Sequence, residues 1–366
     1  MTAEMPSGAG PSGVPDVAAE GLSHSADALE RRLLGAERHL RRRDVSGAAG
    51  VSLLSARRFW RALGFPNVEA AAEAFTLADV AALRSMVQLV RDGIVDEETA
   101  LGLTRAMGRS ADRLANWQIQ LVAEALADDE DASGHVGDVE AAERVGDVLA
   151  EIVERTAPLL TYAWRRHLAS AVARMVSDAD VDAGRAPGPV RSVGFADLVA
   201  FTRVVRRSTE RELAGLVQRF EAVTSDIVSA HGGRVVKTVG DEVLFVATSA
   251  PAAGGIALDI AEAMASDDVL PDVRVGMATG PVVARLGDVF GTTVNRASRL
   301  TGVAPPGTVL VDEATAVRLD AASGFEVVPQ HKRTLRGIGQ VTPSLVRRST
   351  RRAGGAAAAG ADSLAP

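Results

Sequence analysis

Apolar residues recur at three- and four-residue spacing, with charges between them, from about Ser25 to Leu126, in segments such as SADALERRLLGAERHLRRR and TLADVAALRSMVQLVRDG. This is the period of one helix face, and it predicts several short helices in one compact all-α unit. The acidic stretch ADDEDASGHVGD at 127–138 interrupts the pattern, and a second long helical pattern runs from about Val139 to Val176. Pro158 inside it is expected to kink or split the helix, because proline removes a backbone donor and crowds the preceding turn.

The stretch ADVDAGRAPGP at 179–189 has no apolar period and carries two prolines and two glycines, which marks it as a linker. Beyond it short β-branched runs alternate with helical patterns. VRSVGFADL is followed by a helix from about Thr209 to His231, then by GRVVKTV and EVLFVAT about a tight Gly240-Asp241 turn. A helix near Ala252 to Ala265 comes next, then strands near Val273 to Thr279 and Val282 to Leu286, a helix near Val294 to Thr301, and strands near Val309, Phe325 and Ser344. Strand, helix, hairpin, helix, strand is the order of a ferredoxin-like sheet. The fold class is therefore α+β: a ferredoxin-like C-terminal domain at 190–346 behind an all-helical domain at 25–178. The Gly-, Pro- and Ala-rich stretches 1–24 and 347–366 cannot bury enough apolar surface to offset ordering entropy and read as a disordered lead and tail. The tail opens on a basic cluster that includes Arg347, Arg348, Arg351 and Arg352.

Composition narrows the function. Cys is absent, which excludes disulfides, thiolate nucleophiles and Cys-ligated metals, and fits a reducing compartment. A net charge of −7 disfavours nucleic acid as a general partner. No apolar run reaches the roughly 18 residues of a membrane span and no signal-peptide order opens the chain, so the expected location is the cytoplasm.

Candidate chemistry gathers in the C-terminal domain. Asp197 ends an apolar strand in VGFADLVAFT, and Asp241 sits at a hairpin tip in KTVGDEVLF. Each alone reads as a turn-former; together they form a carboxylate pair able to share a divalent cation. Lys237 and Asp288, the latter in LGDVFG, form a donor–acceptor pair suited to a purine edge, although either alone reads as a surface residue. In TTVNRASRL, Asn295 and Arg299 stand four apart on one helix face, where an amide and a guanidinium can orient a ribose and neutralise a phosphate. Without that context they are the polar face of a helix.

In their order and separations, FADLVAFT, KTVGDEVLF and RVGMATGPVVARLGDVFGTTVNRASRL resemble the homology domain of class III adenylyl cyclases over about residues 190–346. The resemblance implies roles residue by residue. Asp197 and Asp241 match the metal-binding aspartates, for Mg²⁺ or Mn²⁺ with two ions per site. Lys237 and Asp288 match the adenine-selecting pair, Asn295 the ribose-orienting residue and Arg299 the transition-state residue. Arg274 in VRVGMATG falls where the family often has a phosphate-contacting arginine, and Arg336 in LRGIG lies near a C-terminal phosphate-binding position. Guanylyl cyclases carry Glu and Cys where this chain has Lys237 and Asp288, so ATP is the implied substrate, and cyclic AMP and pyrophosphate the products. Family sites form between two subunits, which implies a homodimer.

RRDVSGAAGVSLLSARRFWRALGF at 42–65 has the shape of a helix-turn-helix: a first helix, a Gly50-Val51-Ser52 turn with Ser52 as cap, and a second helix bearing Arg57, Arg58 and Arg61. A DNA-binding regulator with a nucleotide-sensing cyclase-like domain is thus the rival reading. Through GVS to RALGFP and the domain order, the N-terminal half is similar to that of soluble actinobacterial adenylyl cyclases with pH-responsive inhibition. A proton or a lipid is compatible with it as the regulatory signal. Leu160, Trp164, Leu168, Val172 and Met175 form an apolar stripe on the helix before the linker, with His167 at its edge, where an imidazole reads first as a boundary residue and second as a pH switch.

Overall fold

The computed structural model describes residues 28–129, 139–181, 189–285 and 287–349. The lead at 1–24 lies outside them, as do most of the 127–138 interruption, most of the linker and most of the basic tail. The chain divides into two compact units between Val172 and Ala173.

The first unit is all-helical, with α1 (28–34), α2 (Arg42–Ala49), α3 (Leu53–Leu63), α4 (Leu77–Arg91), α5 (Glu97–Asp129) and most of α6 (Val139–Val181). The expected helix-turn-helix is α2, a left-handed Gly50, and α3, capped by Ser52, whose hydroxyl accepts from the Ser55 amide. A Thr76–Asp79 capping box starts α4, the Thr76 amide donating to the Asp79 carboxylate at 2.6 Å. Val45, Phe59, Trp60, Phe75, Val80 and Leu83 close a small core over these helices, with Phe59 and Trp60 edge-on at 4.7 Å. The expectation of short helices from Ser25 to Leu126 fails at α5, which has 33 residues, whereas α6, with 43, follows the long helical pattern expected from Val139 to Val176. Nothing stops α5, which contains no proline, and Pro158 does not split α6. The Glu154 carbonyl that Pro158 leaves without a helical donor lies on an exposed turn, where water can serve it. The α6 stripe from Leu160 to Met175 stays 47–65% exposed, and His167 beside it is exposed as well. Among the described residues no helix is long and apolar enough to cross a membrane.

The second unit is built on a seven-stranded sheet. Its strands are β1 (Val190–Leu198), β2 (Arg234–Val239), β3 (Glu242–Ala247), β4 (Val273–Pro281), β7 (Val309–Val311), β8 (Phe325–Pro329) and β11 (Ser344–Arg348). Small hairpins β5 (Val283–Arg285)–β6 (Asp288–Phe290) and β9 (Arg333–Leu335)–β10 (Gly339–Val341) attach to it. The order β2-β3-β1-β4-β7-β11-β8, with β4–β7 the parallel pair, contains the expected ferredoxin-like core β4-β1-β3-β2. After α7 (Phe201–Val205) come α8 (Glu210–Ala230) and α9 (Ala250–Ala265), which with α11 (Glu313–Asp320) cover one face around Phe220, Ile256, Met264, Met277 and Leu319. On the other face α10 (Thr292–Thr301) packs against Val193, Phe195, Leu244 and Ala278. β1 is buried on both sides from Ser192 to Ala196. Thr209 starts α8 through a capping box with Glu212, whose carboxyl the Thr209 amide and hydroxyl hold below its ordinary value.

Two features fix α10. At Gly276 on β4 the helix lies so close that an added Cβ would stand 2.1 Å from the Thr301 amide nitrogen and 2.6 Å from the Ala297 carbonyl oxygen. Behind it, the buried Asp312 caps α11 by accepting from the Thr315 amide at 3.0 Å and the Thr315 hydroxyl at 2.6 Å, and it pairs with Arg296 of α10 at 3.0 Å. Gly276→Ala should therefore push α10 off the sheet. Overpacking of this kind costs about 1–3 kcal/mol, and a thermal melt should show a midpoint lowered by roughly 3–8 °C; an unchanged midpoint would mean that α10 is not held at this contact.

Candidate active site

Strand alternation selects what reaches the α10 face. Val243, Ala196, Leu198, Val273 and Val275 belong to the opposite core, so Glu242, Asp197 and Arg274 between them point to the α10 side. Register sets these three in one row, Asp197 opposite Glu242 on β3 and opposite Arg274 on β4. Arg274 donates from Nε to Asp197 Oδ2 at 2.6 Å, and its Nη2 lies 2.5 Å from the same oxygen. Asp241 sits just before Glu242 in the β2–β3 turn, which Gly240 closes at φ +63°. The Asp241 carbonyl accepts from the Leu198 amide at 3.0 Å and so ties the turn to the end of β1 beside Asp197.

The electrostatics follow from this crowding. Burial pushes the Asp241 carboxyl above its ordinary value and the charge on Asp197 pushes in the same direction, outweighing the pull of its own amide and of Arg274. Burial raises Glu242 too, and the charges on Asp197 and Asp241 add to the effect. Carboxylates close enough to repel in this way are relieved by a cation. The donors are hard oxygens, with neither thiolate nor imidazole among them, which suits Mg²⁺ or Mn²⁺. Among the described residues no three acidic or imidazole groups converge on a metal-sized site, so a cation here would have its shell completed by water or substrate oxygens.

A second cluster lies on β2 and β6. Lys237 Nζ donates to Asp288 Oδ2 at 2.6 Å, and the Val289 amide donates to Asp288 Oδ1 at 2.8 Å. Burial raises the Asp288 carboxyl, but the bonds from Lys237 and Val289 and the nearby positive charge outweigh it and hold the group below its ordinary value. A bulge decides this pairing. Val235 packs toward the α8–α9 core, and simple alternation would send Lys237 to the same side. The register shifts between the two residues and sets Lys237 opposite Leu244, on the α10 face.

The remaining expected residues stand apart. Asn295 and Arg299 are exposed on α10, one turn from each other, and Arg336 is exposed in the β9–β10 turn. Among the described residues no hydrogen bond or ion pair joins any of the three to either cluster. Arg274, expected at a phosphate, is bonded to Asp197 here. Three residues escaped the reading of the sequence. Glu242 follows Asp241 directly but is placed only by the β1–β3 register, whereas Arg296 and Asp312 form the half-buried pair that carries α10. Asp312 does carry a local signal, since Asp before EATA is a helix N-cap.

Residues 189–347 match the family described as the adenylate and guanylate cyclase catalytic domain. The chain is 44% identical over 346 residues to an adenylate cyclase of Glutamicibacter nicotianae, covering 91% of this chain and 85% of that protein. It is 40% identical over 375 residues to an adenylate cyclase of Streptomyces coelicolor, covering 94% of each. A pH-sensitive adenylate cyclase of Mycobacterium tuberculosis is 40% identical over 178 residues, 48% of this chain and 45% of that one. With such identity sustained over nearly the full length of two relatives, and with the clustered carboxylates and the Lys237–Asp288 pair in the matched domain, the chain belongs to the adenylate cyclases of the class III family.

Proposed function

We propose that the chain converts ATP to 3′,5′-cyclic AMP and pyrophosphate at sites shared by two copies of itself, with its N-terminal unit controlling the rate. The observation that carries this reading is the division of charged groups on the α10 face. The Asp197, Asp241 and Glu242 cluster and the Lys237–Asp288 pair are each tightly made, while Asn295 and Arg299 project from α10 without bonds to either. One copy supplies Asp197 and Asp241 to a site, and the other supplies Lys237, Asp288, Asn295 and Arg299. Val239, Val283 and Phe290, each at least half exposed around the β2–β3 and β5–β6 hairpins, give that face apolar surface for a second copy to cover.

The chemistry is an intramolecular displacement. The ribose 3′-oxygen forms a bond to the α-phosphorus, the bond from that phosphorus to the bridging oxygen breaks with its electron pair leaving on pyrophosphate, and the hydroxyl proton departs to solvent. Lys237 donates to a ring nitrogen of adenine and Asp288 accepts from the exocyclic amine, so their mutual bond opens when the base enters. Asn295 orients the ribose. Arg299 meets the charge that builds on the α-phosphate, and Arg274 and Arg336 hold the triphosphate, Arg274 exchanging Asp197 for phosphate oxygen. Divalent cations, two per site, would be held by Asp197 and Asp241 and would supply charge neutralisation and a more acidic 3′-hydroxyl. The fixed polar groups thus act by alignment and charge. α6 runs through the division between the units, which makes it the natural carrier of regulation from 25–178 to 190–346. The pH-sensitive relative supports a proton as one signal.

Three outcomes follow. Asp197→Ala and Arg299→Ala proteins should each lose at least about 100-fold in cyclase rate, the scale of lost transition-state stabilisation. Mixed and reassorted, they should regain activity, since one of the two sites in a heterodimer is intact; mixtures as inactive as their parents would exclude shared sites. Lys237→Glu combined with Asp288→Cys should lower the ATP rate relative to GTP by roughly tenfold or more, and an unchanged ratio would place the base elsewhere. The third outcome concerns stability. A carboxyl raised in the folded state binds its proton more tightly there than in the unfolded chain, so folding stability falls as pH rises through that interval and is flat above it. At neutral pH and without divalent ions, Asp241→Asn should melt roughly 1–3 °C above the parent, solvent screening keeping the gain small. Acidification that protonates Asp241 should narrow the gap, and a variant that melts lower would contradict the crowding.

A further inference from the structure

A separate feature lies on the helix-turn-helix of the first unit. A cleft of about 600 Å³ opens between the start of α2 and the first turns of α3. Arg41, Arg42, Arg43 and Arg57 line it together with Leu53 and Leu54. The two leucines are 53% and 67% exposed, adjacent at the first turn of α3. Glu73 lies 2.9 Å from Arg41 and Asp44 lies 3.7 Å from Arg43. Arg57 donates to the neutral Asn67 side chain at 3.0 Å, and among the described residues no carboxylate is within ion-pair distance of Arg42 or Arg57.

We infer that this cleft is a docking site for the surface of an anionic phospholipid membrane. Cations gathered around a water-exposed apolar pair are the two chemistries an anionic bilayer presents in layers: phosphate oxygens at headgroup depth and acyl chain beneath. Arg42 and Arg57 take a headgroup phosphate in the cleft, while Leu53 and Leu54 enter the acyl boundary. The charge complement is local, against a chain whose net charge is −7. Duplex DNA fits the same cleft less well. The first turn of the second helix is what a helix-turn-helix presents to base edges, and those edges are read by hydrogen-bonding groups that two leucines lack. Nothing in the catalytic face takes part, so this inference stands apart from the proposed reaction.

Co-sedimentation of the full chain with phosphatidylcholine vesicles, with and without phosphatidylglycerol, tests it. Binding should be at least about tenfold greater with phosphatidylglycerol, on the scale of a few juxtaposed arginines, and should fall as salt is raised. Leu53→Ser with Leu54→Ser, and separately Arg42→Gln with Arg57→Gln, should each abolish it while the helical circular dichroism and the thermal melt stay those of the parent, which shows that the first unit of both variants folds. Because the chain has no Cys, Leu54→Cys can carry a single polarity-sensitive fluorophore, whose emission should shift blue on phosphatidylglycerol vesicles and not with glycerophosphate. Equal binding to both vesicle types, binding that survives loss of the leucines, or a blue shift with glycerophosphate alone would overturn the inference. Displacement from vesicles by duplex DNA that the leucine variant still binds would instead make the cleft a nucleic-acid surface.

Discussion

A negative charge at the end of a strand buried on both faces is the constraint around which the second unit is organised. β1 is buried from Ser192 to Ala196, and the Asp197 carboxylate that follows has Arg274 directly across the ladder as its counter-charge. Without that guanidinium, Asp197, Asp241 and Glu242 would crowd with little to offset them. Even with it, Asp241 and Glu242 are held above their ordinary values by burial and mutual repulsion. The resting protein therefore carries electrostatic strain at the place where, in the proposed reaction, divalent cations would bring positive charge, the common pattern in which a site is tuned for its ligand rather than for stability.

The positions of Asn295 and Arg299 depend on contacts that are not themselves chemical. α10 comes down onto β4 because residue 276 has no side chain, and it is held by a half-buried ion pair from Arg296 to the buried Asp312. Asp312 at the same time caps α11 and receives the Thr279 amide at 3.3 Å, so one carboxylate joins α10, α11 and β4. A pair of this kind adds little net stability but is costly to break at Arg296, because the buried Asp312 carboxylate is then left without its counter-charge. The effect is a single allowed placement for the helix, which suits the proposed role of Asn295 and Arg299 at a substrate held partly by another copy.

The first unit shows a different economy. Its core is small and aromatic, and a large part of its apolar surface, along α6 and at Leu53 and Leu54, is left in water by the single chain. Surface of that kind is ordinarily covered by a partner or an interface. In the proposed enzyme the α6 stripe and the arginine-lined cleft are two distinct faces with different chemistry, one apolar and helical, the other cationic with an apolar pair.

The order of elements could be read along the chain, because strand and helix leave periods of two and near four, and turn and cap residues such as Gly240, Ser52 and Thr209 act within a few positions. The ferredoxin-like order and the helix-turn-helix follow from those local rules, as do Asp197 and Asp241 at strand ends. Helix length was less legible: Pro158 predicts a break, and an exposed carbonyl that water can serve permits continuity. Other features exist only once strands are paired. The bulge before Lys237 reverses the face that alternation assigns to it, register puts Glu242 beside Asp197, and Arg274 finds Asp197 across the ladder. Residues 77 positions apart form that last bond. A linear pattern records what each segment prefers, but which charges become neighbours is decided by register and close packing, through contacts between residues that no local period connects.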